Sequence, residues 1–223
     1  LDTFSIDVIN RNYESFYVPS GQIYSAKDYT VEGDYSSAAF LLGAAALVGG
    51  NVTVKNLFPR SKQADKALVG ILERMGADII WGDDSVTVSS EGGLSGIRVD
   101  LSDSPDLVPI VAAMGAACDG ELEIVNTTHA RIKECDRIHA MATELKKMGA
   151  KVEERDDGLL IEGGRLTGAK VDGWKDHRII MAMSVAALAA GGDTTVAGAE
   201  HIDVTFPDFK SVMESLGAGI KVI

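Results

Sequence analysis

Three stretches of this 223-residue chain, beginning near Asp34, Asp106 and Asp176, repeat one pattern: an acid, a small-residue helix, a glycine stop, a strand, a second helix closing on Met-Gly-Ala or Leu-Gly-Ala, and a final strand. The spacing is about seventy residues, and such self-similarity marks one structural unit used again. In register, Asp34-Tyr-Ser-Ser-Ala-Ala-Phe-Leu-Leu-Gly-Ala-Ala-Ala-Leu lies over Asp106-Leu-Val-Pro-Ile-Val-Ala-Ala-Met-Gly-Ala-Ala, and both over Asp176-His-Arg-Ile-Ile-Met-Ala-Met-Ser-Val-Ala-Ala-Leu. The first helices stop at Gly49-Gly50, Asp119-Gly120 and Gly191-Gly192. The second helices end at Met75-Gly76-Ala77, Met148-Gly149-Ala150 and Leu216-Gly217-Ala218.

The first helices are apolar on nearly every side, as Ala45-Ala46-Leu47, Ala112-Ala113-Met114 and Ala186-Ala187-Leu188 show, and such helices belong inside a core. No unit can bury its own helix alone. Three copies about a pseudo-threefold axis would pack these helices side by side and bring their first turns to one face. The expected class is therefore α/β (α+β), with buried parallel helices at the centre. Helices are predicted over 35–48, 63–75, 107–118 and 133–148, with strands over 51–57, 77–81, 84–89, 121–126, 150–154 and 158–162. Gly82-Asp83-Asp84 and Asp156-Asp157-Gly158 read as hairpin turns, and short strands are expected at 97–100 and 169–172. The third unit is expected to run out at Ile223 before its closing strand.

The first thirty residues stand outside the repeat and alternate in strand fashion in Phe4-Ser-Ile-Asp-Val-Ile and near Phe16-Tyr-Val. They are expected to be the tail of a preceding domain. The chain would thus be a fragment of a longer protein, with a hinge at Glu32-Gly33-Asp34, where glycine absorbs rotation.

A net charge of −12 with no Lys/Arg run argues against nucleic acid as a partner. Cys118 and Cys135, expected within helices and outside any Cys/His cluster, indicate neither a disulfide framework nor a zinc site, so a reducing cytosol is the simplest reading. The longest apolar run, 179–191, is too short to span a bilayer.

Two features point to chemistry. Lys175-Asp176-His177-Arg178 places cations at a helix start, which the helix dipole disfavours unless an anion lies across it. The alternative is an Asp176 N-cap paired with Arg178 or Lys175. Arg131-Ile-Lys-Glu-Cys-Asp-Arg137 opens the second outer helix, where Lys133 and Arg137 would share a face as like charges with Glu134 between them; a surface ion-pair helix explains this equally. Asp34, Asp106 and Asp176 each suit an N-cap. Asp106, fixed by Pro105 and Pro109 beside two cationic segments, is also placed to orient or deprotonate a substrate hydroxyl.

Glu32-Gly-Asp-Tyr-Ser-Ser-Ala38, Arg131 through Arg137, Asp176-His-Arg178 and Thr205-Phe-Pro-Asp-Phe209 together resemble the 5-enolpyruvylshikimate-3-phosphate synthase family, in order over essentially the whole chain. The resemblance implies an enolpyruvyl-transferase-like domain of three βαβαββ units. Residues 1–32 would be the last strands of the N-terminal domain and the hinge, and 33–223 the C-terminal domain, with repeats near 33–96, 97–168 and 169–223. The family moves the enolpyruvyl group of phosphoenolpyruvate to the 5-hydroxyl of shikimate 3-phosphate by addition and elimination, without metal or organic cofactor. By motif position, Asp106 would hold the substrate hydroxyls and act as candidate base, Glu134 would protonate the methylene carbon, and Lys133 would contact substrate and shuttle protons. Arg137 and Arg178 would grip phosphoenolpyruvate with His177 beside them, and Tyr13 would contact the shikimate phosphate. Fixed cations at these positions would focus positive charge on two polyanionic substrates despite the overall −12.

Val204 stands where many members have a lysine, so nothing is carried to it. The resemblance further implies a cytoplasmic enzyme, monomeric at full length, a missing N-terminal domain as partner, and no turnover by this chain alone. Rival readings are the related transferase acting on UDP-N-acetylglucosamine, which the Arg131–Arg137 and Asp176–Arg178 segments disfavour, and a non-catalytic anion-binding domain. Upstream sequence or substrate titration would separate these.

Overall fold

In the computed structural model, which describes residues 1–222, the N-terminal alternation yields one small hairpin. Strands β1 (Ile9–Arg11) and β2 (Ser15–Tyr17) pair antiparallel within the first of two units, Leu1–Glu32. The expected strand from Phe4 begins only at Ile9. Asp2–Phe4 forms a 3₁₀ turn instead, closed by Ser5 in the left-handed region (φ 62°), which ends extended backbone there.

The second unit starts at Gly33 and carries the repeat. In order, its elements are α1 (Tyr35–Val48), β3 (Gly50–Lys55), α2 (Ala67–Met75), β4 (Asp78–Trp81), β5 (Ser85–Ser90), β6 (Arg98–Asp100), α3 (Val108–Ala116) and β7 (Glu121–Val125). There follow α4 (Arg137–Lys147), β8 (Lys151–Arg155), β9 (Gly158–Glu162), β10 (Lys170–Asp172), α5 (His177–Leu188), β11 (Thr195–Ala197) and α6 (Phe209–Ser215). This is an α/β fold. None of the described helices is long and apolar enough to cross a membrane.

The Met-Gly-Ala and Leu-Gly-Ala landmarks have one physical meaning. Gly76, Gly149 and Gly217 sit at φ 106°, 89° and 102°, and the amides of Ala77, Ala150 and Ala218 reach back to the carbonyls of Leu72, Leu145 and Met213. Each is a left-handed helix stop in which glycine takes the conformation that a Cβ would oppose. The backbone ladder between elements repeats as well: Gly96 donates to Asp119 as Gly168 does to Gly191, and Ser95 to Met75 as Thr167 to Met148.

Helices α1, α3 and α5 pack against one another at the centre, and every residue of α3 is buried. Small residues set their separation: a Cβ at Gly43 would lie 3.0 Å from Ile110, tighter than ordinary contact. All seven methionines are buried in this core, as expected of flexible gap-fillers. The peripheral sheets differ in size. One has order β3-β5-β4, antiparallel throughout, and the next β6-β7-β9-β8, with β6 parallel to β7 and the rest antiparallel. The third contains only the parallel pair β10-β11.

The helix expected over 133–148 begins at Arg137, four residues late. Asp136 caps it by accepting from the His139 amide, and Arg131 ties the preceding stretch to Asp136, Glu154 and the carbonyls of Arg155 and Asp156. Lys133 and Arg137 therefore share no helix face, and Cys135 lies outside the helix. Cys118 falls just beyond α3, and the helix expected from 107 starts with a 3₁₀ turn, Pro105–Leu107.

Candidate active site at the helix starts

The first turns of the three central helices meet at one end of the unit. At α1, Ser36 Oγ hydrogen-bonds the buried carboxylate of Asp65, which in turn lies close enough to Arg178 and Asp106 to feel their charges. Burial raises the proton affinity of Asp65, and the Ser36 bond and Arg178 offset this only in part.

Asp106 sits in the 3₁₀ turn leading into α3, and that turn is anchored by Ser104 Oγ donating to the Ala64 carbonyl. Because Asp106 lies inside this turn, whose N-cap position is held by Ser104, its carboxylate is not spent on capping. Its Oδ1 accepts from Arg137 Nη1 at 2.7 Å and faces Lys133 Nζ at 3.3 Å, while Oδ2 faces Arg178 Nη2 at 3.1 Å. Burial pushes the Asp106 carboxyl up, but Arg178, Arg137 and Lys133 together outweigh it and hold the group below the usual carboxylate range.

Arg137 is the hub, and its side chain is only 1% exposed. Nε donates to Asp176 Oδ2 at 2.8 Å, Nη1 to Asp106, and Nη2 to Glu134 Oε2 at 2.6 Å and to Asp176 Oδ1 at 3.3 Å. Asp176 is fully buried, accepts the Arg178 amide as the cap of α5, and takes the Cys135 thiol at 3.6 Å. Burial raises its proton affinity, yet the bonds and charge of Arg137 hold it below the ordinary value. The Cys135 thiol is pushed up to about 12 by burial, with Asp176 adding to the effect.

His177 is buried beside Asp176, with Nδ1 4.0 Å from Oδ1, and Nε2 has no hydrogen-bond partner among the described residues. Burial lowers its proton affinity, against the pull of Asp176, so the imidazole is neutral at pH 7.

Asp176 is delivered by a strained turn. Trp174 and Lys175 both lie in the left-handed region (φ 53° and 54°), and the Asp176 amide donates to Gly173, a type I′ pattern normally built from Asn and Gly. Buried Glu144 holds this turn by accepting from the Asp172 amide, Trp174 Nε1 and Lys147. Two turns of α4 thus grip the same loop at both ends, through Glu144 and through Arg137.

The structure brings Asp106, Lys133, Glu134, Arg137, His177 and Arg178 together. Tyr13 belongs to the other unit, where it tops the β1–β2 hairpin and is 83% exposed. Arg131 is spent on bracing its own loop. The expected excess of positive charge is absent: Lys133, Arg137 and Arg178 are matched by Asp106, Glu134 and Asp176, because the acids are close enough to neutralise them. Lys175 is exposed and joins no ion pair among the described residues. Sequence reasoning treated Asp176 as a cap and overlooked its larger role as anchor of Arg137. It also missed Asp65 and Glu144, whose only signal was a carboxylate inside an otherwise apolar helix face.

Buried central helices whose first turns converge, ringed by small sheets, define an enolpyruvyl-transferase type of α/β fold. The EPSP synthase (3-phosphoshikimate 1-carboxyvinyltransferase) family model matches residues 1–213, and the chain belongs to that family. The 3-phosphoshikimate 1-carboxyvinyltransferase of Methanocaldococcus jannaschii is 48% identical over 223 residues, all of this chain and 52% of that protein. The one from Methanocella arvoryzae is 51% identical over 215 residues, 96% of this chain and 51% of its own length. Among solved structures, an EPSP synthase from Acinetobacter baumannii superposes with a TM-score of 0.84 at 28% identity, over 96% of this chain and 52% of that one. The chain spans about half the length of the relatives it matches.

Proposed function

We propose that this chain supplies one wall of the active site that transfers the enolpyruvyl group of phosphoenolpyruvate to the 5-hydroxyl of shikimate 3-phosphate, releasing phosphate, in the cytoplasmic synthesis of aromatic amino acids. The observation that carries the reading is the Asp106 carboxylate gripped by three cations, with Glu134 on the far side of the same guanidinium. Alone, such a carboxylate is a weak base, since its partners hold it below the ordinary range. Substrate anions that draw off Arg178 and Lys133 restore its basicity where the hydroxyl arrives, so binding and activation are coupled. Glu134, once Lys133 has relayed a proton to its carboxylate, protonates the methylene carbon, and Arg137 and Arg178 hold the phosphoenolpyruvate anion with His177 alongside. Fixed groups in a desolvated site stabilise the charge that develops at carbon.

Tyr13 would contact the shikimate phosphate from residues 1–32, read as the end of a preceding domain. Residues 33–223 form the C-terminal domain, with repeats near 33–96, 97–168 and 169–223. The opposite wall would come from the N-terminal domain of the full-length protein. The test is phosphate release from both substrates. The purified chain gives none, and adding the remaining half as a separate polypeptide restores it. In that reconstituted system Asp106→Asn or Glu134→Gln lowers turnover at least a hundredfold, in the range of a removed acid–base group. Equal turnover by these variants, or equal use of UDP-N-acetylglucosamine, would overturn the assignment.

A further inference from the structure

The three carboxylates on Arg137 are not equally committed. Asp176 is 0% exposed, binds both Nε and Nη2, and caps α5, so it cannot leave without stranding a buried charge. Asp106 is 30% exposed and is held by three cations at once. Glu134 is 46% exposed and makes a single ion pair among the described residues, its 2.6 Å bond to Nη2. It also stands in the bend before α4, where no helical ladder fixes its backbone. With four of its hydrogen bonds given to carboxylates, Arg137 has almost no donor left for an incoming anion unless one of these acids withdraws.

We propose that Glu134 is an internal stand-in for substrate: its carboxylate occupies Arg137 Nη2 until a substrate carboxylate of the same shape and charge displaces it, and displacement is what turns Glu134 toward the reacting atoms. The charge of Glu134 reaches His177, whose buried Nε2 has no hydrogen-bond partner among the described residues. This goes beyond the function proposed above but rests on it for the identity of the ligand. The carboxylate freed from Arg137 can take up a proton, relayed by Lys133, and serve as donor only once the ligand is seated, and every binding event costs one broken ion pair.

Calorimetric titration of the 223-residue chain and its Glu134→Gln variant with phosphoenolpyruvate, pyruvate and inorganic phosphate tests it. Gln removes the competing charge, so the variant binds phosphoenolpyruvate and pyruvate about tenfold more tightly than the wild type, the size of one charge-assisted hydrogen bond. Glu134→Asp, one methylene too short to reach Nη2, shifts affinity in the same direction. Equal or weaker binding by Glu134→Gln, or no binding of any probe, overturns displacement. Tightening without any preference for phosphoenolpyruvate over phosphate sustains displacement and overturns the enolpyruvyl reading instead.

Discussion

The starts of α1 and α3 carry the same residue at corresponding places in the repeat and put it to opposite uses. At α1, both oxygens of Asp34 are spent on its own helix, accepting the Ser36 and Ser37 amides and the Ser37 hydroxyl. At α3, Asp106 lies inside a proline-led 3₁₀ turn rather than at its cap, and its carboxylate meets three cations delivered by α5, by the first residue of α4 and by the loop before it. The start of α5 does both, capping with one oxygen and anchoring Arg137 with two. One repeated carboxylate becomes a structural or a chemical group according to whether the local backbone claims its lone pairs first.

The comparison breaks most visibly at the shared anchor. Arg137→Ala leaves Asp176 ionised and buried, and is expected to cost about 3–5 kcal/mol in urea unfolding, the usual penalty of halving a buried pair. Acid titration sharpens it next. Asp176 and Asp106 have folded values below the ordinary one, so the stability they contribute is complete above about pH 4 and is lost as pH falls through their folded values. Asp65 has a raised folded value, so it costs stability at neutral pH and returns it as pH falls through that raised value. Unfolding midpoints measured from pH 7 downward should therefore rise before they fall, and Asp65→Asn should abolish the rise while keeping the fall. The smallest effects separate the two helix starts directly. Asp34→Ala should cost about 1 kcal/mol as a lost cap, whereas Asp106→Asn, a partly solvated ion-pair partner, should stay within about 1 kcal/mol in stability while lowering the turnover proposed for the reconstituted enzyme. A larger loss for Asp106 than for Asp34 would mean that Asp106 is a structural residue.

The repeat, its buried helices and its glycine stops were legible because each follows from local chemistry: alanine-rich runs must be enclosed, and a glycine between a helical run and a strand-like one suits a left-handed helix stop. The convergence of Asp106, Glu134, Arg137 and Arg178 followed from the same symmetry. What escaped were features set by tertiary partners. Nothing local says that 133–136 is not helical, since the tether is Arg131 reaching a hairpin some twenty residues downstream. Trp174 and Lys175 carry no sign of a left-handed turn, because Glu144 imposes it from another helix. The charge balance was missed for the same reason: the count of cations was visible, but not which acids would face them.

That balance governs how a ligand arrives. The three positive and three negative side chains grouped around Arg137 cancel beyond contact range, while the chain as a whole carries −12. In about 0.1 M salt, charges are screened over roughly 10 Å, so a polyanion drifting in meets mild repulsion almost to the surface and finds attraction only at touching distance. On the function proposed above, collisions with this wall would be rarer than at a basic cleft, and selectivity would lie in the embrace rather than the approach. Moderate salt should thus ease entry before it loosens the grip.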